Sequence, residues 1–396
     1  MKSIVPLFAA LALALAPAGQ AGAAAKDARS STTASAKAKA KKATAKKATA
    51  KAGKRVSIKS TRVLKAAPAA ATIDYDGEHS NFLEWQAVRD FIDEMATQHG
   101  FERAWLESLF GQARFIDSAV QLVKPAPPGK PKNWQAYRDR FIEPIRVAAG
   151  VRFWNENADA LARAEAAYGV PAEIIVGIIG VETIYGRDTG KFRVLDTLTT
   201  LAFGYPETPN RASRMAFFRS ELSNTLVYAR EHKLEPFSLL GSFAGAVGMP
   251  QFMPGNILKY GVDFNKDGQV DLRNSAEDAI GSVANFLIQN GWNPEHRGAP
   301  VYPADVSPNH AWEPLLERGL AATLRPEELR AAGVTAQTPL PAERLYGLVD
   351  LQNGAEATEY WVANNNFFAI TKYNRSYFYA MSVIELGRAV RASRGG

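Results

Sequence analysis

Helical periodicity limits what this chain can fold into more than any single motif does. From Asn81 onward, apolar residues recur at i, i+3, i+4 and i+7, the spacing that lines one face of an α-helix. In "NFLEWQAVRDFIDEMATQHGF" the stripe is Val88, Phe91, Ile92 and Met95, with charges opposite. In "PAEIIVGIIGVETIYG" it is Ile175, Ile178, Ile179 and then Glu182, a carboxylate where the pattern calls for a hydrophobe. Further helices are predicted in "YRDRFIEPIRVAAGVRFWNENADALARAEAAYG", "RMAFFRSELSNTLVYAREH", "AEDAIGSVANFLIQNGW" and the closing "YFYAMSVIELGRAV". Pro-rich "KPAPPGKPKNW" ends the first helical unit, and Gly169 with Pro171 stops one helix and starts the next. After "NPEHRGAPVYP" the pattern changes. "ERLYGLVDLQ" and "EYWVANNNFFAITKYN" are rich in aromatic and β-favouring residues and predict a small β insert. The expected fold is mainly α, and a hydrophobic content of 46% suffices for a large core.

The N-terminal region obeys other rules. Residues 1–25 combine a positive start, a short apolar run and small residues around Ala21 to Ala25, which reads as a signal peptide and an exported protein. The chain has no cysteine, which excludes a lipidated cysteine, disulfides and thiolate metal sites together. Between Lys26 and Lys65, fourteen Lys or Arg stand against one Asp, and Lys2 adds a further positive charge. The net charge of +7 therefore conceals a remainder of −7 from Ala66 onward. With almost no large apolar side chains, residues 26–71 predict a disordered Lys/Ala-rich linker. It is either a solvated spacer or an electrostatic tether to an anionic wall polymer or membrane surface. Export argues against nucleic acid as its partner.

Glu182 admits two readings. On an apolar face its charged form loses hydration, so its pKa rises and it can hold a proton for general-acid chemistry on a glycosidic oxygen. Alternatively the stripe ends at Val181, and Glu182 sits in a frayed last turn neutralised by Arg187 or Arg193. The Gly-rich run "LLGSFAGAVGMPQFMPGNILKYGVDFNKDGQVDL" adds the hydroxyl of Ser242, the amide of Gln251 and the ring of Phe252, groups that suit a sugar. Ser242 is not in a nucleophile elbow and has no nearby His. "DFNKDG" matches the start of an EF-hand loop, with Asp263, Asn265 and Asp267 at positions 1, 3 and 5, Gly268 at the turn and Gln269 offering its carbonyl. Position 12 is Asn274 instead of Glu, so a lengthened loop would recruit Glu277 or Asp278, and weak or moderate calcium affinity is expected. The other reading is an Asx-type turn without an ion. His79, His99, His232, His296 and His310 show no zinc-site spacing.

In this order "GIIGVETIYGRDTGKFRVLDTLTTLAF", "GSFAGAVGMPQFMP", "VDFNKDGQVDL" with "DAIGSVANF", and "NNFFAITKYNRSYFYAMSV" closely resemble the B-type lytic murein transglycosylases. The resemblance runs from about Asn81 to the closing helix. It implies a catalytic region over 72–396: a helical region to 150, a lysozyme-like core over 151–300 with its EF-hand-like calcium loop at 263–278, and a β insert with a closing helix over 301–396. It implies cleavage of the β-1,4 bond between N-acetylmuramic acid and N-acetylglucosamine without water, leaving a 1,6-anhydromuramoyl end. Glu182 would be sole acid and base, with no catalytic cofactor, and Ser242 would orient the 2-acetamido group. Gln251, Phe252, Tyr137, Tyr373, Asn374 and Tyr379 match groove positions. Of the family's adjacent Arg pair only Arg214 remains, after Ser213. Asp263, Asn265, Asp267, Gln269 and Asp278 would hold calcium. A periplasmic monomer acting on glycan strands is expected. The alternatives are a muramidase, for which Asp188 and Asp196 are the nearest second carboxylates, and a non-catalytic peptidoglycan-binding protein.

Overall fold

The computed structural model describes residues 81–125 and 131–395. The expected signal peptide, the basic linker and the first residues of the 72–396 region lie outside them, as does part of the Pro-rich loop. The described chain is mainly helical, with a four-stranded antiparallel sheet of order 334–336, 301–306, 356–364, 346–353. A two-stranded pairing of Phe192–Arg193 with Leu240–Gly241 lies apart from it.

Helix Ala172–Thr183 is the centre of the main core. Ten of its twelve residues are buried, leaving only Glu173 and Glu182 partly exposed. The expected one-sided stripe is thus a helix that is apolar all round, as a helix enclosed by others must be. Its closest neighbour is the closing helix, Tyr377–Ser393, and glycines let the two backbones meet. A Cβ on Gly177 would lie 2.2 Å from the Val383 carbonyl oxygen, and one on Gly387 would lie 2.1 Å from that of Glu173. These two contacts fix the crossing, and with it the position of Glu182 over the start of the closing helix.

Several local expectations are revised. Helix Val194–Phe203 has every residue buried, so no apolar–polar alternation marks it in the sequence. "NNNFFAI", expected to continue a strand, forms helix Asn365–Ile370, because the Asn364 side chain accepts the Asn366 N–H and caps a helix start there. The insert has two strands that were not predicted, Val301–Val306 and Val334–Ala336. It rests on its own apolar cluster, which includes Trp312, Leu329, Tyr346 and Val362. The Gly-rich run contains a short helix, Pro254–Tyr260. No single helix among the described residues is long and apolar enough to cross a membrane.

Candidate active site

Glu182 occupies the last turn of the central helix, where the chain leaves through Ile184 and Tyr185, both left-handed at φ 52° and 58°. A β-branched residue in that region is strained, and the surroundings must hold it there. Much of the hold comes from Thr183. Its hydroxyl donates to the Met249 carbonyl (2.8 Å) and accepts the Gly186 N–H (3.0 Å), tying the helix end to the Gly-rich loop.

The carboxyl is half-buried, deep among protein atoms but open on one side. Tyr379 donates its hydroxyl to Oε1 at 2.6 Å. Burial pushes the Glu182 pKa from an ordinary value of 4.5 up to about 8, and the Tyr379 bond restrains the rise. Tyr379 is itself held well above 10 by burial and by the charge of Glu182, so it remains a donor. With Oε1 occupied as acceptor, the proton of neutral Glu182 belongs on Oε2, free for a substrate oxygen. Arg193 does not neutralise this carboxyl; it pairs with Asp196 at 2.5 Å. Asp196 is fully buried and also accepts the Arg114 N–H, so it is a structural carboxylate. Asp188 lies on the exposed turn, its charge facing Lys191 and Arg146.

An aromatic wall continues from the acid. Tyr373 stacks on Tyr379 with centroids 6.2 Å apart, donates to the Pro250 carbonyl at 2.6 Å and contacts Phe252 and Phe286. Tyr137, on helix Trp134–Arg138, has its pKa raised to about 12 by burial and by the charge of Glu182. A cavity of about 310 Å³ opens beyond Tyr373. Gln251, Phe252, Tyr373 and Asn374 line it, together with Glu221, Asn256, Lys372 and Arg375, which sequence reasoning did not single out. Glu221 had a legible signal: it is a carboxylate among the buried positions of helix Arg211–Glu231. It accepts the Gly255 N–H at 2.7 Å and so anchors the loop behind Phe252.

Of the expected site residues, Glu182, Tyr379, Tyr137, Ser242 and Arg214 are not among those that line this cavity. Ser242 is buried, and its oxygen accepts the N–H groups of Ala244 and Ala246, which shapes the loop and leaves its O–H as a donor. Arg214 is 2% exposed, its guanidinium boxed by Tyr205, Phe217 and Phe218 at 5.5–6.0 Å. Gln251 is left-handed at φ 52°, and its amide is committed to the carbonyls of Gly248 and Thr189.

The EF-hand-like loop has the right turn, with Gly268 at φ 93° and its N–H on Asp263. Asp263, Asn265 and Asp267 present hard oxygens, as calcium requires. Asp278 turns into the loop and accepts the N–H groups of Phe264, Asn265 and Asp271, whereas Glu277 turns out to Arg163. Among the described residues no three acidic or His side chains converge as a metal would gather them. Asp263, Asn265 and Asp267 each already accept hydrogen bonds within the loop, and Asp278 accepts three backbone amides, so the oxygens are of the type calcium takes while their present bonds are to the loop itself.

The family model of the transglycosylase SLT domain matches residues 84–388. Membrane-bound lytic murein transglycosylase B of Escherichia coli strain K12 is 43% identical over 316 residues, covering 78% of this chain and 83% of the relative. Soluble lytic transglycosylase SltB1 from Pseudomonas aeruginosa shares the fold with a TM-score of 0.71 at 42% identity, over 78% of this chain and all of its own. The Escherichia coli lytic transglycosylase Slt35 in complex with calcium gives 0.71 at 40% identity, over 82% of this chain and all of its own. The likeness spans the central helix, the Gly-rich loop and the closing helix together, and the protein belongs to the transglycosylase SLT domain family.

Proposed function

We propose that the protein is a peptidoglycan lytic transglycosylase in which Glu182 acts alone as acid and then base. The observation that carries this reading is a half-buried carboxyl, protonated near neutrality and held by a tyrosine donor from which an aromatic wall runs through Tyr373 to Phe252. Neutral Glu182 gives its proton to the oxygen joining N-acetylmuramic acid to N-acetylglucosamine, and the C1–O bond breaks. The carboxylate then accepts the proton of the muramoyl C6 hydroxyl as that oxygen bonds to C1, and the enzyme returns to its starting state. A hydrolytic or inverting scheme needs a second carboxylate to activate water. Asp196 is consumed by its own ion pair, which disfavours it for that role. The free O–H of Ser242 is the donor for the 2-acetamido group, and Gln251, Phe252, Tyr137, Tyr373 and Asn374 shape the groove for the glycan strand, with Arg214 packed behind on Phe217. The export signal puts the reaction in the periplasm.

Treating purified peptidoglycan with residues 72–396 and weighing the products tests this directly. Muropeptides one water lighter than hydrolytic products are expected. Reducing ends instead would establish a muramidase, and binding without products a silent wall-binding protein.

Calcium, when bound, would be held by Asp263, Asn265, Asp267 and the Gln269 carbonyl, with Asp278 closing the loop. Its chemistry there is structural cross-linking. The loop is tied toward the site by the Met249 N–H on the Leu272 carbonyl at 2.7 Å, with Met249 in turn accepting from Thr183, and by Arg273 on the Leu240 carbonyl at 2.8 Å. Millimolar calcium is expected to raise the melting temperature of wild type and to leave Asp263→Ala unmoved. Equal shifts in both proteins would remove the ion from this loop.

A further inference from the structure

The helix turn that carries the acid meets a buried cation that the reaction above does not use. Arg146, near the start of helix Pro144–Glu156, is 6% exposed. Its Nη1 donates to the carbonyls of Gly180 (2.6 Å) and Val181 (3.2 Å), the two residues before Glu182. These carbonyls lie in the last helical turn and carry the negative end of its dipole, and that of Gly180 also accepts the Ile184 N–H at 3.2 Å. The guanidinium lies 5.2 Å from the centre of the Phe141 ring, and its Nε has no hydrogen-bond partner. A buried arginine whose bonds go to backbone is costly unless those bonds hold something in place.

What surrounds it shows what is held. One turn along the same helix, Gly150 leaves room for the Tyr185 hydroxyl, which a Cβ there would approach to 2.4 Å; Gly180 leaves the same room from the other side. The Tyr185 ring is thereby wedged between the two helices and rests on Phe153 with centroids 5.2 Å apart. Arg146 and Tyr185 together brace the strained left-handed exit at Ile184 and Tyr185. The ionisable groups facing Arg146 are Glu143, Tyr185 and Asp188; those facing Glu182 are Tyr379, Tyr373 and Tyr137.

We infer that Arg146 is a positioning residue for catalysis: it clamps the last turn of the central helix so that Glu182 keeps its bond to Tyr379 and aims its free oxygen at the substrate. The inference rests on Glu182 being the acid. Small displacements of a catalytic group cost far more in kcat than in binding, and the groove residues Phe252, Tyr373 and Asn374 sit on other elements.

The test uses soluble, peptide-free glycan strands with wild type, Glu182→Gln, Arg146→Met and Arg146→Lys. Arg146→Met is expected to lose roughly ten- to hundredfold in kcat with KM within about twofold. Its basic limb should move to higher pH, because loosening the Tyr379 bond disfavours the carboxylate. Arg146→Lys still ties one carbonyl of the turn, so kcat falls only severalfold and the limb moves less than in Arg146→Met. A folded Arg146→Met with wild-type kcat, or with a raised KM alone, overturns the inference, as does a loss that only tracks the folded fraction with the limb unmoved. Should Arg146→Met not fold, wild-type kcat in Arg146→Lys overturns it equally. Turnover surviving in Glu182→Gln would instead defeat the reading of the acid itself.

Discussion

Glu182→Gln is expected to lower turnover by roughly 10³-fold or more while leaving binding of glycan strands close to wild type. Gln keeps the shape and can still accept from Tyr379, but it has no proton to give and cannot become a base. In wild type the acid must start protonated, so activity should be level through neutrality and fall as pH rises through about 8. The same shift has a sign for stability. A carboxyl whose folded pKa lies above its unfolded one stabilises the fold fully below the unfolded value of 4.5 and loses that contribution as pH rises through the folded value. Gln does not titrate. Melting curves should therefore show Glu182→Gln gaining on wild type between about pH 4.5 and pH 8 and levelling off above that. A constant difference across that range would mean that the carboxyl is not held in its neutral form.

The largest effect on stability is expected at the helix crossing. Gly177→Ala improves intrinsic helix propensity by about 1 kcal/mol. Its Cβ, however, would stand 2.2 Å from a backbone oxygen of Val383, which cannot swing aside as a side chain could. The two helices must part, and the net destabilisation should be about 2–3 kcal/mol in urea unfolding, with the Glu182–Tyr379 bond lengthened as well. Gly111→Ala is the control. It lies on helix Arg103–Gln112, where a Cβ meets only Leu83 Cδ1 at an ordinary 3.5 Å, so the propensity gain should survive as a small stabilisation. Equal behaviour of the two variants would mean that the crossing is looser than described.

The order of helices and the misplaced carboxylate were legible because each rests on local spacing. Val88, Phe91, Ile92 and Met95 point one way on a surface helix, and all four are buried as the stripe requires. Val194–Phe203 was silent for the opposite reason, since burial on every side erases periodicity. The raised pKa of Glu182 followed from its neighbours in sequence, but its partner did not: nothing near Glu182 in the chain indicates Tyr379. Gln251 and Phe252 were read as ligand-facing from their chemistry alone. The structure divides them further, with the Gln251 amide spent on the backbone carbonyls of Gly248 and Thr189 and the Phe252 ring on the wall. Arg146 could not be found by pattern, because its worth lies in which carbonyls it meets across 34 positions.

The hydrogen bond between Glu182 and Tyr379 joins residues 197 positions apart. A contact of that span forms late, since the intervening chain must first be folded to bring its ends together. The closing helix is also the element whose glycine lets the central helix seat. A chain still emerging from synthesis or export would thus carry the acid without its donor and without the wall that dries it. Competence to cut arrives with the docking of one helix, so the timing of the chemistry is written into the order in which the molecule assembles.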